Sequence, residues 1–565
     1  MRDKSGSFTT IDTDVLIIGG GIAACFAAIE AERKGVSVTV VDKANIGRSG
    51  NSPLMSGILT MFDPDEDDYE SWFRHCVETG QYVNEQDILK QVIEGTTRVV
   101  RELESWGVEF IKKDGKRERY ESMAGSPNVK MTRGGIQMMD VVRGEVIRRG
   151  VRLVQRVMVV DLLTSDGNLP TQGRVVGALG FDIRNGEPYV FKAKAIVIAT
   201  GSVALRRYKC LSPFVLSADG IMAAYRCGCQ LKNLELTLAS YSPADFNIAP
   251  GAHLILGYGA YLINGNGDRF MVRYEPIHME KAPRTITAVA IAKEYLEGRG
   301  PIWLDARHLD SKAHDAIRRG IPIYMRTLER AGLDLAKDTI KYKNSVSPCM
   351  GAGGIRINEE RATTVEGLYA AGSCGDHAED GADNAMGNGI ESAVSGRIAG
   401  GSAAQCAQQA DEPTIDKGQV TALREGLLKA LENPAGISAK DVADDLGKIW
   451  ESIEVIRSEK TLNNAVRVIE KICNEEVPKV GAADYHILAE AKGVSNKALF
   501  LELLCRCALA RTESRGGHYR IDYPERDDEN WVQWVICQQK DNQVHVWSEP
   551  IPFDRYPLKP PFSRV

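Results

Sequence analysis

This sequence has no C-x-x-C pair, no surplus of basic residues and no uninterrupted apolar run of membrane-spanning length. Each absence excludes a class. A spanning helix needs about 20 consecutive apolar residues, so none is expected. Lysine and arginine number 70 against 76 acids, a formal net charge of −6, and the basic stripe that marks a nucleic-acid partner is missing. The twelve cysteines are scattered, the closest being Cys227/Cys229 and Cys505/Cys507. Iron–sulfur runs space their ligands differently, so no cluster and no other metal ligand set is expected. Most of these thiols read as small buried hydrophobes, and a disulfide framework is not expected. The opening residues, MRDKSGSFTTIDTD, are polar and lack the apolar stretch of a secretory signal. A cytoplasmic location is therefore expected, with docking on the cytoplasmic face of a membrane complex as the alternative.

What is present is an ordinary globular composition, 43% hydrophobic and 26% charged over 565 residues, enough for two to four domains. The strongest local signal is TDVLIIGGGIAACFAAIEAERKGVSVTVVDK. A buried strand, DVLII, runs into Gly19, Gly21 and Ala24 at G-x-G-x-x-A spacing; a helix follows, then the strand VSVTVV ending at Asp42. Gly19 allows the tight turn, Gly21 lets backbone approach a pyrophosphate, and Ala24 lets helix and strand pack closely. The helix N-terminus faces the phosphates and Asp42 accepts the ribose hydroxyls. Two later strands run into small-residue turns, AKAIVIATGS at 193–202 and GLYAAGSCGD at 367–376. That trio favours FAD over NAD as the dinucleotide.

With these segments in hand, the chain resembles the flavoprotein subunits of the succinate dehydrogenase and fumarate reductase superfamily, which includes L-aspartate oxidase and the adenylylsulfate reductase alpha subunit. LSADGIMAAYRCGCQLKNLE, YLINGNGDRFMVRYEP, APRTITAVAIAKEYLEGRGPIWLDARHL and ALARTESRGGHYRIDYPERDDENW carry the resemblance across almost the whole chain. It implies an α/β fold: a Rossmann-like FAD-binding domain of the glutathione-reductase type in two pieces, 1–240 and 345–412, with an α+β capping domain inserted at 241–344. A C-terminal helical domain spans 413–531, where SIEVIRSEKTLNNAVRVIEKICNEE has apolar residues at helical spacing, and the tail 532–565 alternates like a hairpin. The resemblance places Lys43, Ser49, Gly50, Ser56, Gly57, Ala199, Thr200, Gly201, Asp219, Gly372, Ser373, Asn388, Gly389 and Ile390 with Gly19, Gly21, Ala24 and Asp42 around the flavin. It further implies an iron–sulfur partner subunit.

The departures are as informative. In membrane-complex relatives a histidine carries FAD covalently; in the matching segment, SGNSPLMSG, that position is Gly50, so the FAD is expected to be non-covalent. The family clamps a dicarboxylate with two histidines and an arginine, because a dianion needs paired cationic donors. Those positions correspond to Ser240, Cys349 and Asn384. The family's proton-donating arginine is matched by Arg284, but its relay partners correspond to His253 and Leu256. Arg284 is thus the candidate proton donor or a domain tie. His253 is a candidate replacement for the relay acid, and Cys349 and Asn384 are candidate substrate contacts, with Tyr241 and Tyr258 lining a flatter, less charged pocket. The expected function is an FAD-dependent oxidoreductase acting on a small molecule other than succinate or fumarate. The alternatives are an electron-relay or bifurcating subunit, and a fumarate reductase or adenylylsulfate reductase-like enzyme with an altered site. A fumarate site would need cations from elsewhere, such as Arg269, Arg273 or His278. Arg511, Glu513, Arg515, His518 and Arg520 read as a charged network packing the C-terminal domain onto the FAD domain.

Overall fold

The computed structural model describes residues 8–561 except 56, 122–126, 207–211, 247–250, 345, 347–352, 380, 384–385 and 542. The elements that frame the site are, in chain order, β1 (Thr9–Ile18), α1 (Ile22–Arg33), β2 (Val38–Asp42), β3 (Pro188–Ile198), α2 (Asp219–Cys227), α3 (Arg284–Leu296), β4 (Leu368–Ala370), α4 (Asn388–Gln409) and α5 (Tyr485–Ala510).

β1 lies between β2 and β3 and runs parallel to both. β4 joins β3, also parallel, and Arg152–Gln155 extends the parallel set beyond β2. Val15, Leu16 and Ile17 are fully buried, as a parallel strand covered on both faces requires. Antiparallel strands Val175–Asp182 and Val157–Thr164 complete the sheet on the far side of β3.

α1 is buried nearly all round, from Ile22 to Ile29. Ala24 is expected to let helix and strand pack closely, and the structure shows a further use for the small residues of this helix. α4 lies directly on α1: a Cβ added at Gly396 or Gly400 would sit 2.2 or 2.1 Å from the carbonyl oxygens of Ala23 and Ala27. Two helix backbones meet there without intervening side chains.

The strands Tyr241–Pro243, Ile340–Asn344, Ile302–Asp305 and Tyr261–Ile263 form a separate antiparallel sheet in that spatial order. Asn344 Nδ2 donates to the Ala288 carbonyl at 2.6 Å, tying α3 to this sheet. Helices Lys417–Glu432, Ala439–Ile453, Glu459–Lys471 and α5 follow. Gln533–Lys540 and Gln543–Pro550 pair antiparallel, and the first of them adds to Leu231–Lys232, which also pairs with Gly354–Ile355. The architecture is the expected one: a Rossmann-like domain with an inserted α+β unit and a helical C-terminal region.

The charged C-terminal segment is a buried structural network. Arg511 bonds Glu235 at 2.8 Å and Glu513 at 2.9 Å, with all three side chains wholly buried. Arg515 bonds Glu513 at 2.7 Å and Asp528 at 2.8 Å. His518 receives Arg457 at 2.8 Å. Burial, then the charges of Arg457 and Arg511, hold its imidazole neutral.

Candidate active site

A groove open to solvent runs past the carboxyl ends of β1, β2, β3 and β4, where parallel sheets bind their ligands. Gly19, Gly20 and Gly21 form its floor below α1. A Cβ on Gly19 would lie 2.1 Å from the Ala199 carbonyl oxygen, with φ at 124°, so only glycine keeps the groove at this depth. Asp42 ends β2 and its Oδ1 accepts the Ala44 amide at 2.6 Å. Burial raises its pKa, with the Ala44 amide and Lys43 opposing. Across the groove Lys43 Nζ lies 2.5 Å from both Asp219 Oδ2 and Ser217 Oγ. Asn496 of α5 donates to Asp219 Oδ1 at 2.9 Å. Burial alone would raise the Asp219 pKa, but Lys43, Asn496 and Ser217 hold it below the usual range.

The structure brings Gly19, Gly21, Asp42, Lys43, Ser49, Gly50, Ala199, Thr200, Gly201, Asp219 and Ser373 into the groove wall. Other expected flavin residues sit behind it. Ala24 is buried within α1. Gly57 backs onto Gly134, and Gly372 onto Ala23 and Ser392. Asn388, Gly389 and Ile390 form the first turn of α4, with Gly389 against Met55. Ser56 lies outside the described residues. Ala24, Gly57, Gly372 and Asn388–Ile390 support the wall rather than line it, because α4 and Gly57 pack behind the strand ends. Gly50 has φ at 74° and open space before it, the nearest atom to an added Cβ being Leu216 Cδ2 at 3.9 Å.

Sequence reasoning missed several lining side chains. Ser52 Oγ accepts the Ile22 amide at 3.1 Å at the N-terminus of α1. Asn51 Nδ2 donates to Ser202 and Ser212 at 3.1 Å each. The only signal for these is the run of small polar residues in SGNSP and ATGS.

Beside α3 a second group converges. Arg284 opens the helix, and its charge bears on both His253 and Tyr241. His253 is half-buried in the short helix Ala252–Gly257. Desolvation, then the Arg284 charge, pushes its pKa down to about 3. Tyr241 is buried, and desolvation raises its pKa far enough that the phenol stays protonated. Ser240 is also buried, and Leu256 belongs to the core. Thr285 Oγ1 donates to Asp383, joining α3 to the chain just before Asn384. Cys349 and Asn384 themselves lie outside the described residues. The alternative cations are engaged elsewhere. Arg269 pairs with Glu280 at 2.6 Å, Arg273 with Glu294 at 3.0 Å, and His278 with Glu275 at 3.3 Å.

A family model described as an FAD binding domain matches residues 14–390, and one described as the fumarate reductase flavoprotein C-terminus matches 444–564. The chain belongs to the fumarate reductase/succinate dehydrogenase flavoprotein family. This flavoprotein is 28% identical over 555 residues to one of the subunits of the fumarate reductase (CoM/CoB) of Methanothermobacter marburgensis, covering 94% of this chain and 97% of the relative. It is 30% identical over 560 residues to an uncharacterised FAD-dependent oxidoreductase of Methanocaldococcus jannaschii, covering 96% and 98%. A quinol fumarate reductase FrdA variant of E. coli shares the fold with a TM-score of 0.87 at 22% identity, covering 97% and 98% of the two chains. The flavoprotein is an FAD-dependent oxidoreductase, and the groove fits the dinucleotide: a glycine floor at a helix N-terminus with a carboxylate at the end of β2. Among the described residues no helix is long and apolar enough to cross a membrane.

Proposed function

We propose that this flavoprotein exchanges electrons between a small substrate other than a C4 dicarboxylate and an iron–sulfur partner chain, through FAD held without a covalent bond. The observation that carries the reading is the lack of cations, apart from Arg284, at the positions that match the family's clamp and relay. The Arg284 charge bears on His253, which is held unprotonated, and on Tyr241, which also feels Asp383 and Glu280, while Ser240 and Leu256 are buried and uncharged. A dianion would forgo charge-assisted hydrogen bonds worth about 1.5–3 kcal/mol each. A neutral or singly charged molecule, organic or sulfur-containing, would lose nothing.

FAD, when bound, supplies the hydride and electron chemistry. The chain supplies orientation. Arg284 donates to a substrate oxygen, and Tyr241 donates from a protonated phenol. His253, neutral, serves as a hydrogen-bonding group rather than a charge. Cys349 and Asn384 complete the contacts in this reading. Gly50 supplies no side-chain nucleophile for a covalent flavin link. The partner rests on kinship: the Methanothermobacter relative is named as one subunit of a larger enzyme.

That relative's name also makes fumarate the compound to test first. Protein purified anaerobically is precipitated with acid and assayed with fumarate and a reduced dye. The expected result is flavin in the supernatant, a co-purifying iron–sulfur chain, and no fumarate-dependent dye oxidation. Fumarate turnover at an ordinary enzymatic rate, about 1–1,000 per second, abolished by Arg284→Ala, would overturn the substrate reading. Flavin in the pellet would overturn the non-covalent one.

A further inference from the structure

Outside the groove and the Arg284 region, one group of ligating side chains converges among the described residues: His377, Glu379 and Glu391, whose ligand atoms lie within 4.8 Å of one another. His377 Nδ1 is 3.5 Å from Glu379 Oε1 and 3.7 Å from Glu391 Oε2. The three residues are 2%, 1% and 3% exposed. They come from two elements, the segment after β4 and the first turn of α4.

The surrounding charges do not balance. Among the described residues, four buried carboxyl groups, Glu85, Asp376, Glu379 and Glu391, share this interior with two permanent cations, Lys232 and Arg361. Lys232 is taken by Glu85 and, at 2.7 Å, by Asp376. Arg361 donates to neutral acceptors: the Gln91 side chain at 2.8 Å, the Glu359 carbonyl at 2.9 Å and Ser395 Oγ at 3.3 Å. Glu379 Oε1 is buried without a hydrogen-bond donor and faces the imidazole. Glu391 accepts the Ser392 hydroxyl at 3.3 Å, a neutral donor. Uncompensated buried carboxylates are costly; with all four ionised the group would fall two positive charges short, the charge of one divalent ion.

We propose that His377, Glu379 and Glu391 bind a divalent transition-metal ion. One imidazole with two carboxylates suits Mn²⁺, Fe²⁺ or Zn²⁺ better than Mg²⁺ or Ca²⁺, which favour all-oxygen shells. The ion is positional. Ala371 and Ser373, before the His377 turn, and Ser392, after Glu391, all line the dinucleotide groove. A metal joining the turn to α4 would fix that wall and neutralise its carboxylates. The inference does not depend on the substrate reading.

The test is metal analysis of the intact flavoprotein, purified without chelator, then stripped and offered Mn²⁺, Fe²⁺ or Zn²⁺ anaerobically. The expected result is about one equivalent of ion per chain, with a rise in melting temperature on re-addition. Glu379→Gln and Glu391→Gln should each cut binding at least about tenfold. Electron-spin-echo spectra of bound Mn²⁺ in the unaltered protein should show nitrogen coupling from His377, so the result does not depend on the variants folding. Stoichiometry below about a tenth of an equivalent with all three ions, or bound Mn²⁺ lacking nitrogen coupling, would overturn the site and leave protons to balance the charge.

Discussion

At Gly19 the backbone, at φ 124°, leaves 2.1 Å between an added Cβ and the Ala199 carbonyl oxygen. Gly19→Ala must therefore displace the turn that forms the groove floor. We expect the variant to purify with FAD content reduced at least about tenfold, read from the ratio of flavin to protein absorbance; full FAD retention would refute the placement of the dinucleotide. This residue was legible in the sequence because the chemistry of a tight turn at a phosphate needs glycine. Ser52 and Ser217 were not, since a serine in a loop carries no signature until the fold brings it to the groove. His253 was legible only as a titratable group. Desolvation, then the Arg284 charge, sets its behaviour, with a folded pKa of about 3 against 6.5. The depressed value means the unfolded chain binds the extra proton, so this contribution to stability is lost as pH falls from about 6.5 towards 3. Ring-nitrogen NMR shifts of His253 should stay those of neutral imidazole from pH 8 to about 5. A midpoint near 6.5 would contradict the environment described around Arg284.

The strand–turn–helix–strand at the N-terminus is the element-level feature the sequence declared most plainly, because a local hydrophobic run and a helical period are adjacent in the chain. The pairing of Leu231–Lys232 with both Ile355 and Cys537 was not legible, since two-residue strands have no period and their partners are over a hundred residues away. The contact between α1 and α4 was half legible: small residues were evident on α1, their partner was not. Gly400 and Gly401 make a paired test on one helix. An added Cβ meets the Ala27 carbonyl at 2.1 Å from Gly400 but only the Glu30 side chain, at an ordinary 3.6 Å, from Gly401. Gly400→Ala should destabilise by about 1–3 kcal/mol through overpacking. Gly401→Ala should be neutral or stabilise by up to about 1 kcal/mol through helix propensity. Chemical denaturation of both variants decides it, and equal effects would mean the helices do not meet as described.

At the scale of the molecule, the three domains are joined by buried charges. Arg511 reaches Glu235, linking the C-terminal segment to the FAD domain. The motif RTESRGG suggested such a network, but its partner Glu235 could be found only in the fold. A second junction was invisible in the sequence. Glu454, 9% exposed, lies 3.2 Å from Arg206 of the first FAD segment and feels Lys343 of the capping region. Desolvation outweighs both cations and raises its pKa from 4.5 to about 7. A carboxyl with a raised folded pKa binds its proton more tightly in the native state. Its protonated form therefore favours folding at low pH, and that contribution is lost as pH rises from about 4.5 through 7. The shift corresponds to an upper bound of about 3 kcal/mol. Glu454→Gln keeps the shape and removes the titration, while Arg206 retains Glu451 at 2.9 Å. The stability of Glu454→Gln relative to wild type should thus increase by about 2–3 kcal/mol between pH 5 and pH 8, measured by denaturant unfolding at each pH. A difference that stays flat over that range would show that Glu454 is already ionised at the junction, with Arg206 and Lys343 outweighing the cost of burial.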